Sequence, residues 1–124
     1  MRILVADDNL QVRRGVAAIL TGENWEICGE VSDGREVIDK ARTLAPDLIL
    51  LDVRMPGLNG LEIAEQLRKE MPAAKILIMS QYDPSHLRPR ALAAGADACI
   101  DKAQLGSELV ATIMSLSSPK PASN

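Results

Sequence analysis

Asp7 and Asp8 follow the apolar run Ile3–Ala6, Asp52 follows Leu48–Leu51, and Lys102 comes just after Ala98–Ile100. Each run reads as a buried strand. In a parallel sheet the residues past the strands' carboxyl ends gather at one edge, where open α/β sheets bind ligands. Three carboxylates and one ammonium are therefore expected in a single crevice. Carboxylates that close repel one another, so the cluster needs a cation to hold it together. An oxygen-rich, histidine-free ligand set points to Mg2+ rather than zinc. Taken singly the parts are ordinary: an Asp–Asp pair before a helix serves as a cap and dipole partner, and a lone lysine is solvated surface. The functional reading rests on their meeting at strand ends.

The elements that must position these residues alternate strand and helix five times. Arg2–Ala6 is a short apolar strand, and Val12, Val16, Ile19 and Leu20 then recur at helical spacing, with Gly22 as a stop. Trp25–Val31 alternates and is rich in strand formers. Val37, Ala41 and Leu44 share a helical face that Pro46 closes. Asp47–Leu51 is apolar almost throughout, as a central strand covered on both faces should be. Met55–Gly60 holds a proline and two glycines and reads as a loop, with Asn59 placed to cap a helix whose face is Leu61, Ala64, Leu67 and Met71. Pro72 ends that helix, Lys75–Met79 is the fourth strand and Ala98–Ile100 the fifth. Leu105, Leu109, Ile113 and Leu116 mark the last helix. If Asp83 capped the fourth helix with Pro84 at its first position, Pro89 would fall inside it and remove a backbone bond. That helix is therefore expected either to kink or to start late, near Arg88. Such alternation with short loops defines a parallel sheet with helices on both faces.

At 124 residues the chain has the length of one domain with a real core. Its 47% hydrophobic and 25% charged residues are those of a globular protein in water. A net charge of −3 gives no reason to expect direct nucleic acid binding. No apolar run approaches the ~20 residues that span a bilayer, and the start of the chain lacks a signal peptide's long apolar stretch, so the expected compartment is the cytoplasm. Cys28 and Cys99 have neither metal-ligand nor redox spacing and read as reduced core thiols. His86, the single histidine, is expected to be an exposed helix residue with no catalytic or zinc role.

The pattern Asp7-Asp8, then Leu51-Asp52-Val53-Arg54-Met55-Pro56-Gly57-Leu58-Asn59-Gly60, then Ser80 after the fourth strand and Lys102 after the fifth, resembles the receiver domain of two-component response regulators. The match runs from about Met1 to Leu116, which assigns 1–117 to the receiver and leaves the Ser/Pro-rich 118–124 as a tail or the start of a linker. The resemblance implies a flavodoxin-like (βα)5 doubly wound parallel sheet in the order 2-1-3-4-5, with strands one and three adjacent at the switch point. It further implies that Asp52 accepts a phosphoryl group from a sensor histidine kinase. Mg2+ would be held by Asp8 and Asp52, by the backbone carbonyl of Arg54, and by Asp7 through water. Lys102 would pair with Asp52 at rest and with a phosphoryl oxygen afterwards, and Ser80 would offer a hydroxyl to another oxygen. The output face of the family is the fourth helix, fifth strand and fifth helix, often a dimer contact. Here it would carry Arg88, Arg90, Asp97, Asp101 and Glu108.

Two positions depart from the family's habit. Cys99 stands where the family carries an aromatic ring three residues before the lysine, which leaves the usual hydroxyl–aromatic coupling without its ring. Tyr82, the single tyrosine, is either a substitute from another direction or a rim residue, and Arg54 and Tyr82 flank the phosphoryl position as candidate tuners of its lifetime. Ala103 replaces the proline that many receivers carry after the lysine, where the family tends to have a cis bond. That form resembles regulators of the NarL/FixJ type, whose output is a helix-turn-helix DNA-binding domain. The chain is expected to be either a stand-alone receiver or the front part of such a regulator. Rival classes are a phosphorylation-independent interaction module, a haloacid-dehalogenase-type phosphatase and an FMN carrier. The phosphatase wants an Asp where Arg54 stands, and Asp7-Asp8 would repel the flavin phosphate.

Overall fold

The computed structural model describes residues 1–57, 59–81 and 85–117. Expectations that rest on Leu58, Tyr82, Asp83, Pro84 and 118–124 lie outside the described residues. In chain order the elements are β1 (Arg2–Ala6), α1 (Leu10–Leu20), β2 (Glu26–Val31), α2 (Gly34–Leu44), β3 (Leu48–Asp52), α3 (Gly60–Glu70), β4 (Lys75–Ser80), α4 (Arg88–Ala93), β5 (Ala98–Asp101) and α5 (Leu105–Ser117). A short 3₁₀ turn, Lys102–Gln104, joins β5 to α5. The five strands form one parallel sheet in the order β2-β1-β3-β4-β5.

Strand alternation sends successive side chains to opposite faces, and both faces are covered. Leu4, Ile49, Leu51, Ile76 and Ile78 pack with Val37, Ala41, Ile63 and Leu67 of α2 and α3. Ile3, Val5, Leu48, Leu50, Leu77 and Met79 pack with Val16 and Leu20 of α1 and with Leu109 and Ile113 of α5. β3 is buried along its whole length, as its apolar run requires. It carries its register into β1, with Ala6 opposite Leu51, so the residues that follow Ala6 emerge beside Asp52.

Element ends differ from the sequence expectations in small, explicable ways. Trp25 precedes β2 and lies at the amino edge of the sheet, half-buried against the α1/α5 core. That is the edge away from the acids, so its fluorescence is no direct reporter of metal. α1 ends at Leu20, with Thr21 donating its hydroxyl to Ala17 O at 2.8 Å, one residue before Gly22 at φ +95°. α4 starts late, at Arg88, which puts Pro89 in its first turn, where a missing N–H removes no helical bond. His86 lies in the turn before α4, exposed, and not in the helix. The Lys102–Ala103 peptide is trans. Among the described residues no helix is long and apolar enough to cross a membrane.

Candidate functional site

Asp7 follows β1 directly and is fully buried, while Asp8 beside it is exposed. Asp7 is fixed from four directions. Its N–H donates to Val31 O at the end of β2 (2.9 Å) and its carbonyl accepts from Arg13 Nη1 (2.7 Å). Its Oδ1 accepts the Asn9 N–H (2.8 Å), and its Oδ2 lies 2.7 Å from Lys102 Nζ. Asn9, not the acids, caps α1: its Oδ1 accepts from Gln11 and Val12 N–H. The Asp pair is thereby left free of the capping role it often has.

Asp52 is the last residue of β3 and is 3% exposed. Its Oδ1 accepts the Arg54 N–H (3.1 Å) and its Oδ2 lies 3.2 Å from Lys102 Nζ. Burial is the main cause that lifts its pKa above the ordinary value of 3.8; the Arg54 N–H and Lys102 oppose the shift and the Asp7 charge adds to it. Burial alone would lower the Lys102 pKa, but the hydrogen bond to Asp7 and the charges of Asp52 and Asp7 outweigh it and raise the pKa. The lysine expected to pair with Asp52 thus bridges both buried carboxylates and sits nearer Asp7.

The β3–α3 loop folds back on the end of β3. Gly60 N–H donates to Val53 O (3.1 Å), Arg54 and Asn59 form an isolated bridge, and Asn59 Oδ1 caps α3 through Leu61 N–H (2.7 Å). A Cβ on Gly60 would lie 2.6 Å from Val53 Cα and 2.9 Å from Asp52 O. Only glycine lets the helix start this close to the Asp52 backbone. Gly57, at φ +99°, sits against Asp33 and Arg35 at the start of α2, and Pro56 O accepts the Gly34 N–H (2.8 Å).

Ser80 ends β4, buried, in register with Asp101 of β5. It shares with Asp8, Asp52, Arg54 and Lys102 a cavity of about 750 Å³. The far wall of that cavity includes His86, Leu87 and Arg90 beside α4. Cys99 is buried on the face of β5 towards α4, and its carbonyl accepts from Arg88 Nη2 (3.2 Å). Both cysteines are free thiols, and burial raises each of their pKa values. Asp97 is partly exposed at the groove between α4, β5 and α5, and its Oδ2 meets Arg68 Nη2 at 2.7 Å and accepts the Ile76 N–H at 2.8 Å.

The donor set fits a hard divalent cation. Asp7, Asp8 and Asp52 each offer a carboxylate oxygen within 4.8 Å of the others. Asp7 Oδ2 is buried and meets the Lys102 ammonium at 2.7 Å. One lysine faces three clustered carboxylates, and the remaining negative charge suits a hard divalent cation. Of the residues that the sequence reading grouped, Asp8, Asp52, Ser80 and Lys102 line the crevice, and the buried Asp7 lies against Lys102. It missed Asn9 and Arg13, which hold Asp7. Asn9 was legible as a cap-type residue at a helix start; a guanidinium donating to a backbone carbonyl has no sequence signal.

A five-stranded 2-1-3-4-5 sheet with an acid cluster and a lysine at the β1/β3 edge defines the receiver class. The chain belongs to the response regulator receiver domain family, whose pattern matches residues 3–114. It is 34% identical over 114 residues to the response regulator protein VraR of Staphylococcus saprophyticus, covering 91% of this chain and 54% of that protein. The chain therefore spans about half the length of this curated relative. In structure it is similar to a two-component response regulator of the LuxR family from Aurantimonas sp. SI85-9A1, with TM-score 0.86 and 29% identity over 93% of this chain and 83% of that one. It is also similar to the signal receiver domain of a NarL response regulator from Mycobacterium tuberculosis, with TM-score 0.85 and 29% identity over 93% and 94% of the two chains.

Proposed function

We propose that this receiver accepts a phosphoryl group on Asp52 from the phosphohistidine of a sensor kinase, with Mg2+ held by Asp8 and Asp52, by Arg54 through its carbonyl, and by Asp7 through water. The observation that carries the reading is Asp52 itself: a buried carboxylate at a strand end, beside two more acids and one protonated lysine. When bound, Mg2+ would offset the repulsion between a carboxylate nucleophile and an anionic phosphoryl group. An Asp52 carboxylate oxygen attacks phosphorus, the phosphorus–nitrogen bond breaks, and the kinase imidazole leaves with the bond's electrons. Lys102 then turns from the two carboxylates to a phosphoryl oxygen, so its charge follows the charge that moves. The Ser80 hydroxyl donates to a second oxygen. Added negative charge and one new hydrogen bond bias the β4–α4 region towards an active state.

The chain acts as a phosphoacceptor, not as an enzyme on a separate substrate; its catalysis is limited to its own phosphorylation and dephosphorylation. The signal leaves by the α4–β5–α5 face, which on this reading also forms a homodimer. Arg88, Arg90 and Glu108 are exposed there, whereas Asp97 is committed to Arg68 within the chain. In a longer regulator the partner beyond the receiver would be a C-terminal DNA-binding domain, and the setting would be the cytoplasm.

Intact mass after incubation with acetyl phosphate or phosphoramidate and Mg2+ tests the chemistry. One added phosphoryl group is expected, absent without Mg2+ and absent in Asp52→Asn. A second reading, a phosphorylation-independent interaction module, is favoured by the small Cys99 side chain on β5. It gains the field if no adduct forms and beryllofluoride also fails to bind.

A further inference from the structure

The peptide that joins Asp7 to Asp8 is the hinge of the acid cluster. Its orientation sets the directions in which both side chains leave the backbone. Asp7's carboxylate has independent restraints in Asn9 N–H and Lys102. Asp8 is exposed, and among the described residues its carboxylate makes no hydrogen bond. The restraint on Asp8 is therefore the peptide plane itself, and that plane is gripped by one side chain. Arg13 Nη1 donates to Asp7 O at 2.7 Å, while Arg13 Nε donates to Glu30 Oε1 at 2.9 Å. The Arg13 side chain is 15% exposed, laid between α1 and the carboxyl end of β2. A guanidinium anchored by a carboxylate at one edge and a carbonyl at the other has little freedom left.

We infer that Arg13, braced by Glu30, is a positioning residue for the divalent cation: it locks the Asp7–Asp8 peptide so that both carboxylates face Asp52. The inference rests on the Mg2+ reading of the site. It has a sign that separates it from plain electrostatics. Arg13 is a permanent positive charge behind an acidic cation site, so its removal, through charge alone, tightens cation binding. Through lost orientation, removal loosens binding, and loss of such outer partners of metal ligands costs about 10–100-fold in affinity. The proposal is that orientation wins.

The test is Mg2+ titration by calorimetry, at a temperature where circular dichroism shows each protein folded, on wild type, Arg13→Ala, Arg13→Lys and Glu30→Gln. Arg13→Ala is expected to weaken Mg2+ about 10-fold. Arg13→Lys, which reaches one partner but cannot fork to both, recovers part of that loss. Glu30→Gln leaves the guanidinium in place without its brace and weakens Mg2+ by about 2–3-fold, a fraction of the outer-partner effect. Ile19→Val, a destabilising change in the same helix away from Asp7, leaves the affinity unchanged. If Arg13→Ala fails to fold, Arg13→Lys decides, because it keeps the charge and loses only the fork, so weaker Mg2+ there is lost orientation. Unchanged or tighter Mg2+ binding in the Arg13 and Glu30 variants overturns the inference while leaving the cation site standing. No Mg2+ binding by wild type overturns the site reading and the inference with it.

Discussion

The two walls of the crevice are built on opposite plans. On the sheet side, Asp7, Asp52 and Lys102 project from the ends of β1, β3 and β5, and they are bound to one another and to backbone groups. On the other side α4 is six residues long, and its first residue follows Leu87, which makes no capping hydrogen bond through its side chain. The contrast recurs within α4. Its carboxyl end is a full Schellman motif: Gly95 at φ +103° donates to Leu92 O and Ala96 N–H to Ala91 O, both at 3.0 Å. Arg68 of α3 then fastens that end, bonding to Gly95 O and to the Asp97 carboxylate. The chemistry needs fixed groups and has them. On the proposed function the response needs an element that can move; α4 is tied by Arg68 at the end away from the site, while beside the site its first residue is held to β5 by one bond, Arg88 Nη2 to Cys99 O.

The largest expected effect comes from cutting the tie. Arg68 also donates to Pro72 O and Ala74 O, so one guanidinium joins α3, the turn after it and the α4–β5 turn. Arg68→Ala leaves three carbonyls and the half-buried Asp97 carboxylate without their cation. We expect a loss of about 3 kcal/mol in urea unfolding with the m-value unchanged. A loss under about 1 kcal/mol would show a surface ion pair instead, and α4 would then have no fixed end.

A smaller effect, with opposite sign, is expected on the fixed wall. Burial raises the Asp52 pKa above 3.8, so between 3.8 and the folded value the folded state binds the proton that the unfolded state has lost. Stability from this group therefore falls as pH rises through that window, and at neutral pH the charged carboxylate is a net cost. Asp52→Asn should be the more stable protein at pH 7 without divalent metal, by on the order of 1 kcal/mol in thermal unfolding. The gain should shrink as pH falls towards 3.8 and below. Mg2+ should stabilise wild type and narrow the gap, because it binds the native state alone. A variant less stable than wild type at neutral pH would mean that Asp52 holds the wall together through Lys102 more than it strains it.

Much of the fixed wall was legible before any coordinates, because strand-end placement depends on the strong signal of apolar runs. Asp7, Asp8, Asp52 and Lys102 fell together for that reason, while Ser80 entered only through the family resemblance. Partner choice inside the cluster was not legible: Lys102 lies nearer Asp7 than Asp52. The same limit hid Arg13 and Arg68, whose acceptors are mostly backbone carbonyls and carry no side-chain pattern. It also hid the partners of Asp97, which borders the α4–β5–α5 groove but spends its Oδ2 on Arg68 and the Ile76 N–H. For α4, by contrast, Pro84 and Pro89 left a kink or a late start open, and the helix starts late.

That last point yields the smallest and sharpest effect. With α4 starting at Arg88, Pro89 stands in the first turn, where the backbone N–H has no helical acceptor to lose. Pro89→Ala should then change stability by no more than about 0.5 kcal/mol, its loss of a preset φ roughly balancing the restored N–H. A helix beginning several residues earlier would make Pro89 an interior proline, and the same substitution would stabilise by about 3 kcal/mol. Chemical denaturation of the two proteins, with and without beryllofluoride and Mg2+, separates the cases. Near-equality in the free protein fits a helix that starts at Arg88. A gain that appears only with beryllofluoride would mean that the activated state lengthens α4 towards the site and that Pro89 resists it. The proline would then set the balance between the two states, acting at the boundary between the wall that is fixed and the wall that moves.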